Sequence, residues 1–408
     1  RMQISPNSVY VIPPGFYLSI ADSTLFLYQI PMTRPRPWMT IDRFFRDLAE
    51  TQDARAIAII LSGTDHDGTL GLRSMKENLG TVMVQEPRSA EFSGMPQSAI
   101  ATGLVDYIAP AGDLPRLLTG YGEFIGKIPA AKMPTPEANQ PALFRIFSLI
   151  RSRTGLDFTS YDRTMADRRI HRRMGVHHVT SMEQYIEDLE TNPAEIEALA
   201  RELLTGGSRF FRNPEVWEAL KGETLPRILQ SREEVREVLA WVVGCFTGEE
   251  AYSLAILFEE VREDLDMGRE IGIRILATDA NPDVIEAARA GRYPSSIEED
   301  VSPERLDSFF IKEDGTYTVR PEIRDLVMFS RHNVLTDPPF LHMDLISCRN
   351  LLIYFSHETQ KNLMPVFYRA LNRDGALVLG ITEPLPTGGD ELFQAEDALL
   401  KIYRRRNR

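Results

Sequence analysis

The sequence predicts an α/β protein: a Rossmann-like, doubly wound, mostly parallel sheet preceded by a small helical subdomain and, ahead of that, by a partial α/β segment. Three observations carry this prediction. From Val235 onward, apolar runs alternate with amphipathic stretches through VLAWVVG, IGIRILATD, DLVMFSRHN, MDLISCRN and GALVLGI, the pattern of strands joined by crossover helices. Between residues 142 and 230 only helical periodicity occurs, in FRIFSLIRSRTG, YDRTMADRRIHRRMG, SMEQYIEDLETN and PAEIEALARELLTG, with Gly and Asn at the stops. Nearer the start, the β-branched run RAIAIILS and the strand TVMVQ are each followed by helical signals. The Pro-rich stretch KIPAAKMPTPEANQP lacks periodicity and reads as a linker. The expected domains are 1–125, a linker over 126–141, a helical subdomain over 142–230 and a sheet domain over 231–408.

Taken in order, SVYVIPPG is followed by the strands FYLSI and TLFLYQI about a turn at Ala21, Asp22 and Ser23. A helix begins at Thr40, with Ile41, Phe44, Phe45 and Leu48 on one face. A Gly/Asp turn at 63–68, a helix through Met75, the strand TVMVQ and a helix after Pro96 complete a unit ending near Tyr121. Four hundred and eight residues and 46.3 kDa leave room for two to four domains. A net charge of −13 and a pI near 5.2 argue against unspecific binding to nucleic acid or to an anionic membrane. Two cysteines, Cys245 and Cys348, exclude a disulfide framework and a four-thiolate zinc site, and fit a reducing cytoplasm. No apolar run reaches the roughly 18–20 residues of a membrane span, and no signal peptide opens the chain. It opens on Arg1 rather than Met, so further residues are expected upstream.

The strongest local signal is VLAWVVGCFTGEEAYSLAIL, an apolar strand, a loop with Gly244 and Gly248, and a helix opening at Glu249 and Glu250. Glycines at such a turn admit a ligand close to the backbone, but a glycine-bearing strand-to-helix turn is also commonplace architecture. Paired carboxylates at the mouth repel a pyrophosphate and suit a ribose hydroxyl or a cationic ligand, and the spacing fails both the G-x-G-x-x-G and Walker patterns. The next strand ends in Asp279, where acids catch ribose hydroxyls; the alternative is that Asp279 or Asn281 caps the following helix. Together these point to S-adenosylmethionine rather than NAD. The strand MDLIS then runs into Cys348, Arg349 and Asn350, with Tyr354 one helical turn further on. These are candidates for the reaction centre, against the plainer reading of Cys348 and Tyr354 as core residues. The string Asp337-Pro338-Pro339-Phe340 is similar to a box of amino-group DNA methyltransferases, but it precedes its strand and reads as a Pro-stiffened loop.

Residues from about 142 to 405 resemble the chemoreceptor glutamate O-methyltransferase family, CheR, through GCFTGEEAYSLA, ATDANPDVIEAARAGRYP, SCRNLLIYF and SRFFRNPEVW in the family's order. The resemblance implies methylation of receptor glutamates by S-adenosylmethionine, without a metal and in the cytoplasm. It places cofactor contacts on Gly206, Ser208, Arg212, Glu250, Asp279, Asn333, Val334, Cys348 and Arg349, beside Gly244 of the glycine loop, and sets Arg212 and Tyr354 nearest the transferred methyl. Three positions depart from the family: Gly206 for Asn, Ser208 for Thr, and Phe246 for a small Ser. The bulky Phe246 ring either crowds the cofactor or points into the core. The family also implies that a basic helix engages acidic receptor helices; Arg168, Arg169, Arg172 and Arg173 are the matching residues, a charge run that otherwise reads as a solvated face. The alternatives are a degenerate methyltransferase that binds cofactor or docks without turnover, and an enzyme of this fold acting on another carboxylate.

VYVIPPG and IILSGTDHDGTLGLRSMKENLGTVMVQEPRSAEFSGMPQSAIATGLVD resemble the latter part of the chemotaxis methylesterase family, CheB. The acid of that family's Ser-His-Asp triad matches Asp67, and its Ser and His are expected to lie upstream, so no esterase activity is expected from this chain. From the residues alone, the Asp67-Gly68 pair is a turn. Calcium is a poor fit, because Gly63 and Ser74 would stand where the loop needs carboxylates.

Overall fold

A computed structural model describes residues 1–30, 39–52, 55–127, 140–204, 208–230, 237–266, 271–313 and 315–407. The chain divides into two units, Arg1–Thr159 with Arg163–Gly207, and Ser160–Asp162 with Ser208–Arg408. In the first, β1 (Met2–Gln3), β2 (Phe16–Ala21) and β3 (Thr24–Gln29) form an antiparallel sheet in the order β1-β3-β2. The turn between β2 and β3 is Asp22-Ser23, both with left-handed φ (+47° and +56°), as a two-residue hairpin of matching twist requires. After α1 (Thr40–Gln52), the strands β4 (Ile57–Ile60), β5 (Thr81–Gln85) and β6 (Tyr107–Ala109) pair in parallel, with α2 (Gly71–Glu77) and α3 (Gly94–Ala101) as crossovers. The central strand β5 is buried at every position, the signature of a sheet covered on both faces. Then come α4 (Leu114–Lys127) and four helices, α5 (Gln140–Thr154), α6 (Arg163–Val176), α7 (Met182–Thr191) and α8 (Pro193–Leu204). Most of the expected linker, 128–139, lies outside the described residues.

In the second unit, α9 (Pro214–Ala219) and α10 (Leu225–Gln230) precede β7 (Glu237–Val243), α11 (Glu249–Asp264), β8 (Gly272–Asp279) and α12 (Pro282–Ala290). A small antiparallel sheet follows, from β9 (Arg292–Pro294), β10 (Phe310–Glu313) and β11 (Thr316–Val319), together with α13 (Pro303–Phe309) and α14 (Pro321–Arg324). The chain then returns to the main sheet through β12 (Val327–Arg331), β13 (Met343–Cys348), α15 (His357–Ala370) and β14 (Leu371–Leu379), and closes with α16 (Gly389–Leu392), β15 (Phe393–Asp397) and β16 (Ile402–Arg405). The order is β12-β8-β7-β13-β14-β16-β15, with the first five strands parallel and the last two antiparallel. On β7, Val238, Ala240 and Val242 join the core beneath α11, whereas Trp241 and Val243 join the one beneath α15. That alternation is the strand's period of two, filled on both faces. The sequence reading placed residues up to 230 with the helical subdomain. Instead, Phe210, Phe211, Val216, Trp217, Leu225, Ile228 and Leu229 pack into the core on the α11 face of the sheet.

The basic run on α6 is also not the solvated face the sequence predicts. Arg168 is exposed, but Arg169 and Arg172 are only 1% and 6% exposed. Positions 169, 172 and 173 follow the i, i+3, i+4 spacing that the inward residues Ala166 and Ile170 also share. Their charges are met inside the unit. Arg172 pairs with Glu202 (2.5 Å) and Asp106 (2.9 Å), Lys76 pairs with Asp106 (2.9 Å) and Glu202 (3.3 Å), Arg169 donates to the Glu202 carbonyl, and Arg173 binds Glu195. The cluster of two cations and two carboxylates ties α2 and the start of β6 to α6 and α8. Burial would raise both carboxyls, but Arg172 and Lys76 outweigh it and hold Asp106 and Glu202 below the ordinary range. Their contribution to stability is therefore present above the ordinary carboxylate pKa and fades as pH falls through the depressed values. Asp106→Ala leaves Lys76 and Arg172 with one carboxylate between them. It should destabilise this unit by about 3–5 kcal/mol, read from the midpoint of its chemical unfolding; an unchanged midpoint would contradict the assignment.

Candidate active site

The carboxyl ends of β7 and β13 lie side by side, and the connections leaving them run to opposite halves of the sheet, the position where doubly wound sheets open a ligand crevice. From β7 the chain turns into α11 through residues 244–248, of which Gly244 (φ +70°), Phe246 (+48°) and Gly248 (+95°) hold left-handed backbone. A Cβ on Gly248 would come within 3.0 Å of Ala288 Cβ and 3.1 Å of Tyr293 Oη, so glycine is needed there for space as well as conformation. Phe246 pays the strain of that conformation, of order 1–3 kcal/mol, as a non-glycine residue. Its ring is half-buried, and its N–H donates to Asp279 Oδ2 at 3.1 Å.

Asp279 ends β8, and its Oδ1 accepts the N–H of Asn281 at 2.9 Å. The helix cap is Asn281, whose Oδ1 accepts the Asp283 N–H at 3.0 Å, so of the two capping candidates Asp279 is left to the loop. Burial pushes the Asp279 carboxyl up to about 6, with the N–H groups of Asn281 and Phe246 pulling the other way. On α11, Glu250 Oε1 accepts from Ser347 Oγ at 2.6 Å, and its Oε2 lies 3.7 Å from Arg349 Nη1. Arg349, 4% exposed, donates through Nη2 to the Arg212 carbonyl (2.8 Å) and to Asn213 Oδ1 (3.2 Å) and lies over the Trp217 ring. Its Nε and Nη1 are buried without a hydrogen-bond partner among the described residues. Two such donor nitrogens, beside acids suited to a ribose and a cation, fit a ligand that carries an acceptor of its own, as the methionine end of S-adenosylmethionine does.

Arg212 sits between two left-handed residues, Phe211 (φ +47°) and Asn213 (φ +57°). The Phe211 N–H donates to Ser253 Oγ (3.0 Å) on α11, and Trp217 Nε1 donates to the Arg212 carbonyl (2.9 Å). The segment is thus fastened on both sides of the Arg212 side chain. Ser208 is half-buried just upstream, and Gly206 lies outside the described residues. After β12, the His332 N–H donates to the Asp279 carbonyl, which brings Asn333 and Val334 to the same edge. Asn333 is occupied with its own loop, its Oδ1 accepting from the Leu335 N–H (3.0 Å) and its N–H donating to Asp337 Oδ2 (2.8 Å). Val334 packs against the core beneath α15. Asp337-Pro338-Pro339-Phe340 lies in the loop between β12 and β13, where His332 Nε2 is 3.0 Å from the Pro338 carbonyl. Among the described residues no cluster of His, Cys, Asp and Glu is arranged to hold a metal ion, and no helix is long and apolar enough to cross a membrane.

Residues 207–400 match the family model described as CheR methyltransferase, SAM binding domain, residues 141–204 the CheR methyltransferase, all-alpha domain, and residues 1–118 the CheB methylesterase. A chemotaxis protein methyltransferase of Listeria innocua is 33% identical over 246 residues, 59% of this chain and 89% of that protein. The chain belongs to the CheR methyltransferase family. An uncharacterized 104.1 kDa protein of Rhodobacter capsulatus is 35% identical over 418 residues, 97% of this chain, and the chain spans only 43% of that relative's length. The crystal structure of the Thermotoga maritima CheB methylesterase catalytic domain is 30% identical, with a TM-score of 0.23, over 26% of this chain and 57% of that one. S-adenosylmethionine, expected from the glycine loop and Asp279, is the cofactor of the matched CheR domain.

Within this CheR family member two expectations change. Cys348 is fully buried beneath α15 among Trp241, Leu352 and Phe367, and burial drives its thiol pKa far up, so any contact it makes in the crevice is through its backbone. Asn350 and Tyr354 do not share an α-helical turn: Asn350 is left-handed (φ +58°), and Leu352–Tyr354 is a short 3₁₀ turn leading to the half-buried Tyr354. Sequence reasoning passed over Glu383, which binds the N–H groups of Asn350, Leu352 and Ile353; an acid in the loop after a buried strand was the available signal. In the CheB-like segment, Asp67 accepts the N–H groups of Ile41 (3.1 Å) and Asp42 (2.9 Å) and caps α1, while Asp42 Oδ1 accepts the Gly71 N–H at the start of α2 (2.7 Å). His66 Nδ1 lies 2.6 Å from the carboxylate of Asp65.

If Asp279 takes the ribose hydroxyls through its ionised carboxylate, a carboxyl near 6 predicts that the affinity for S-adenosylhomocysteine weakens about tenfold between pH 7 and pH 5. Calorimetric titration checks this. Asp279→Asn should bind weakly at both pH values, and a wild-type affinity independent of pH would contradict the role.

Proposed function

We propose that this protein transfers the methyl group of S-adenosylmethionine to glutamate side chains of chemoreceptor cytoplasmic helices, forming methyl esters. What supports the reading is a chain of contacts in a member of the CheR family: Asp279 binds the glycine-loop N–H of Phe246, Glu250 on the helix that loop opens approaches Arg349, and Arg349 binds the Arg212 carbonyl. When bound, the cofactor supplies an electrophilic methyl on a sulfonium. Asp279 would take the ribose hydroxyls; Glu250, held by Ser347, would stand toward the cationic end; and Arg349 would offer the N–H groups of Nε and Nη1, which make no hydrogen bond among the described residues. Ser208, Asn333, Val334 and the backbone of Gly244 and Cys348 would line the remainder.

The acceptor glutamate, with an ordinary pKa near 4.3, is already a nucleophile at neutral pH, so the chain need supply no general base. Its task is alignment: an oxygen held about 3–3.5 Å from the methyl and in line with the breaking bond removes much of the barrier. We assign Arg212 to orient the acceptor carboxylate and Tyr354 to line the methyl path. The fastened backbone on either side of Arg212 supports this, because a side chain that aims a substrate needs a fixed base. With Arg169, Arg172 and Arg173 engaged internally, Arg168 is the exposed one of the four docking candidates for a receptor to meet. The CheB-like segment serves here as structure, with Asp67 as a helix cap.

Labelled methyl transfer to receptor fragments tests the reading: fragments with Glu at the acceptor sites should take label, and those with Gln should not. Arg212→Ala should lower kcat by about 100-fold, a larger loss than it causes in cofactor affinity. Unchanged transfer by that variant would reject its role, and equal labelling of Gln fragments would reject the substrate.

A further inference from the structure

Glu383, in the loop that follows β14, is 1% exposed, and backbone N–H groups bind its carboxylate. Oε2 accepts from Gly380 (2.6 Å) and Asn350 (2.8 Å), and Oε1 from Leu352 (2.8 Å) and Ile353 (3.3 Å). Three of these four donors belong to the turn between Arg349 and Tyr354. That turn leaves β13 through the left-handed Asn350, and its N–H groups, that of Leu352 buried and the others partly so, would lose their partners without the carboxylate. The surroundings are shaped to the carboxylate: a Cβ on Gly380 would fall 2.6 Å from Glu383 Oε2 and 2.9 Å from the Asn350 nitrogen. One side chain thus joins the loops at the carboxyl ends of two neighbouring parallel strands.

We propose that Glu383 is a positioning residue for methyl transfer: it fixes the turn 350–354 and, through it, Tyr354 at the methyl path. This rests on the role proposed above for Tyr354. Arg349 is held separately, by the Arg212 carbonyl, Asn213 and the Trp217 ring, so cofactor binding does not depend on the clamp. A carboxylate suits the task because both oxygens accept; a glutamine presents one acceptor and turns an NH₂ toward the remaining donors.

The test is Glu383→Gln in the full chain, measured for methyl transfer to receptor fragments, S-adenosylhomocysteine affinity, and amide exchange over residues 350–354. We expect kcat to fall at least about tenfold, affinity to stay within about threefold, and exchange of the Asn350, Leu352 and Ile353 amides to speed up, with the thermal midpoint lowered by about a few degrees. Gly380→Ala, which presses on the carboxylate without removing it, should give the same pattern more mildly and serves if the first variant misfolds. Transfer within twofold of wild type overturns the proposal. So does parallel loss of affinity, thermal midpoint and kcat in both variants, which is the mark of a purely structural residue. If the wild-type chain labels no receptor fragment, the substrate reading fails instead. The clamp is then decided by exchange alone, and an unchanged rate in the turn overturns it.

Discussion

The candidate site depends on one topological constraint. Because β7 lies between β8 and β13, the connections leaving β7 and β13 diverge, and the backbone at their carboxyl ends must turn sharply without a neighbouring loop to cover it. The cost is visible in the backbone. Phe211, Asn213, Phe246 and Asn350, all non-glycine, hold left-handed conformations in the segments that border the crevice. Each is over-determined by neighbours: the Phe246 N–H by Asp279, the Phe211 N–H by Ser253, Asn213 by Arg349 and the Asn350 N–H by Glu383. Strain held in this way keeps polar groups aimed into a crevice before any ligand arrives, so less ordering is left for the moment of binding.

Arg349 shows how a buried charge is handled when a ligand is expected. Its guanidinium is tied by Nη2 and by the Trp217 ring, yet Nε and Nη1 make no hydrogen bond among the described residues. In the first unit, buried cations are met by buried carboxylates. There, Lys76 and Arg172 meet Asp106 and Glu202 in a closed alternation of charge. That cluster joins the CheB-like α/β segment to the all-α helices, so the CheB-like segment is part of the packing of its unit.

Much of this was legible in the sequence, and the failures have a common cause. Strands, crossovers and the glycine loop followed from local periodicity, and Asp279 followed from its place at a strand end, all of which are properties of contiguous residues. The basic run on α6 reads as a solvated face because its partners, Glu202, Glu195 and Asp106, lie far away in sequence, and a charge pattern alone does not reveal a buried acid opposite. Residues 208–230 carry helical periodicity like the helices before them; which core they enter depends on tertiary contact. Cys348 and the turn after it misled for the same reason, since an apolar strand end does not say on which side its last side chain falls. Glu383 was passed over because its significance lies in three N–H groups about thirty residues earlier in the chain.

The central claim is that the crevice aligns a carboxylate with the cofactor's methyl, and the chemical nature of the product tests it most directly. A receptor fragment labelled by this protein should release its label as methanol under mild alkali, as a carboxylic methyl ester does. Label that survives alkali on the fragment, as it would on a nitrogen or sulfur atom, would contradict the account.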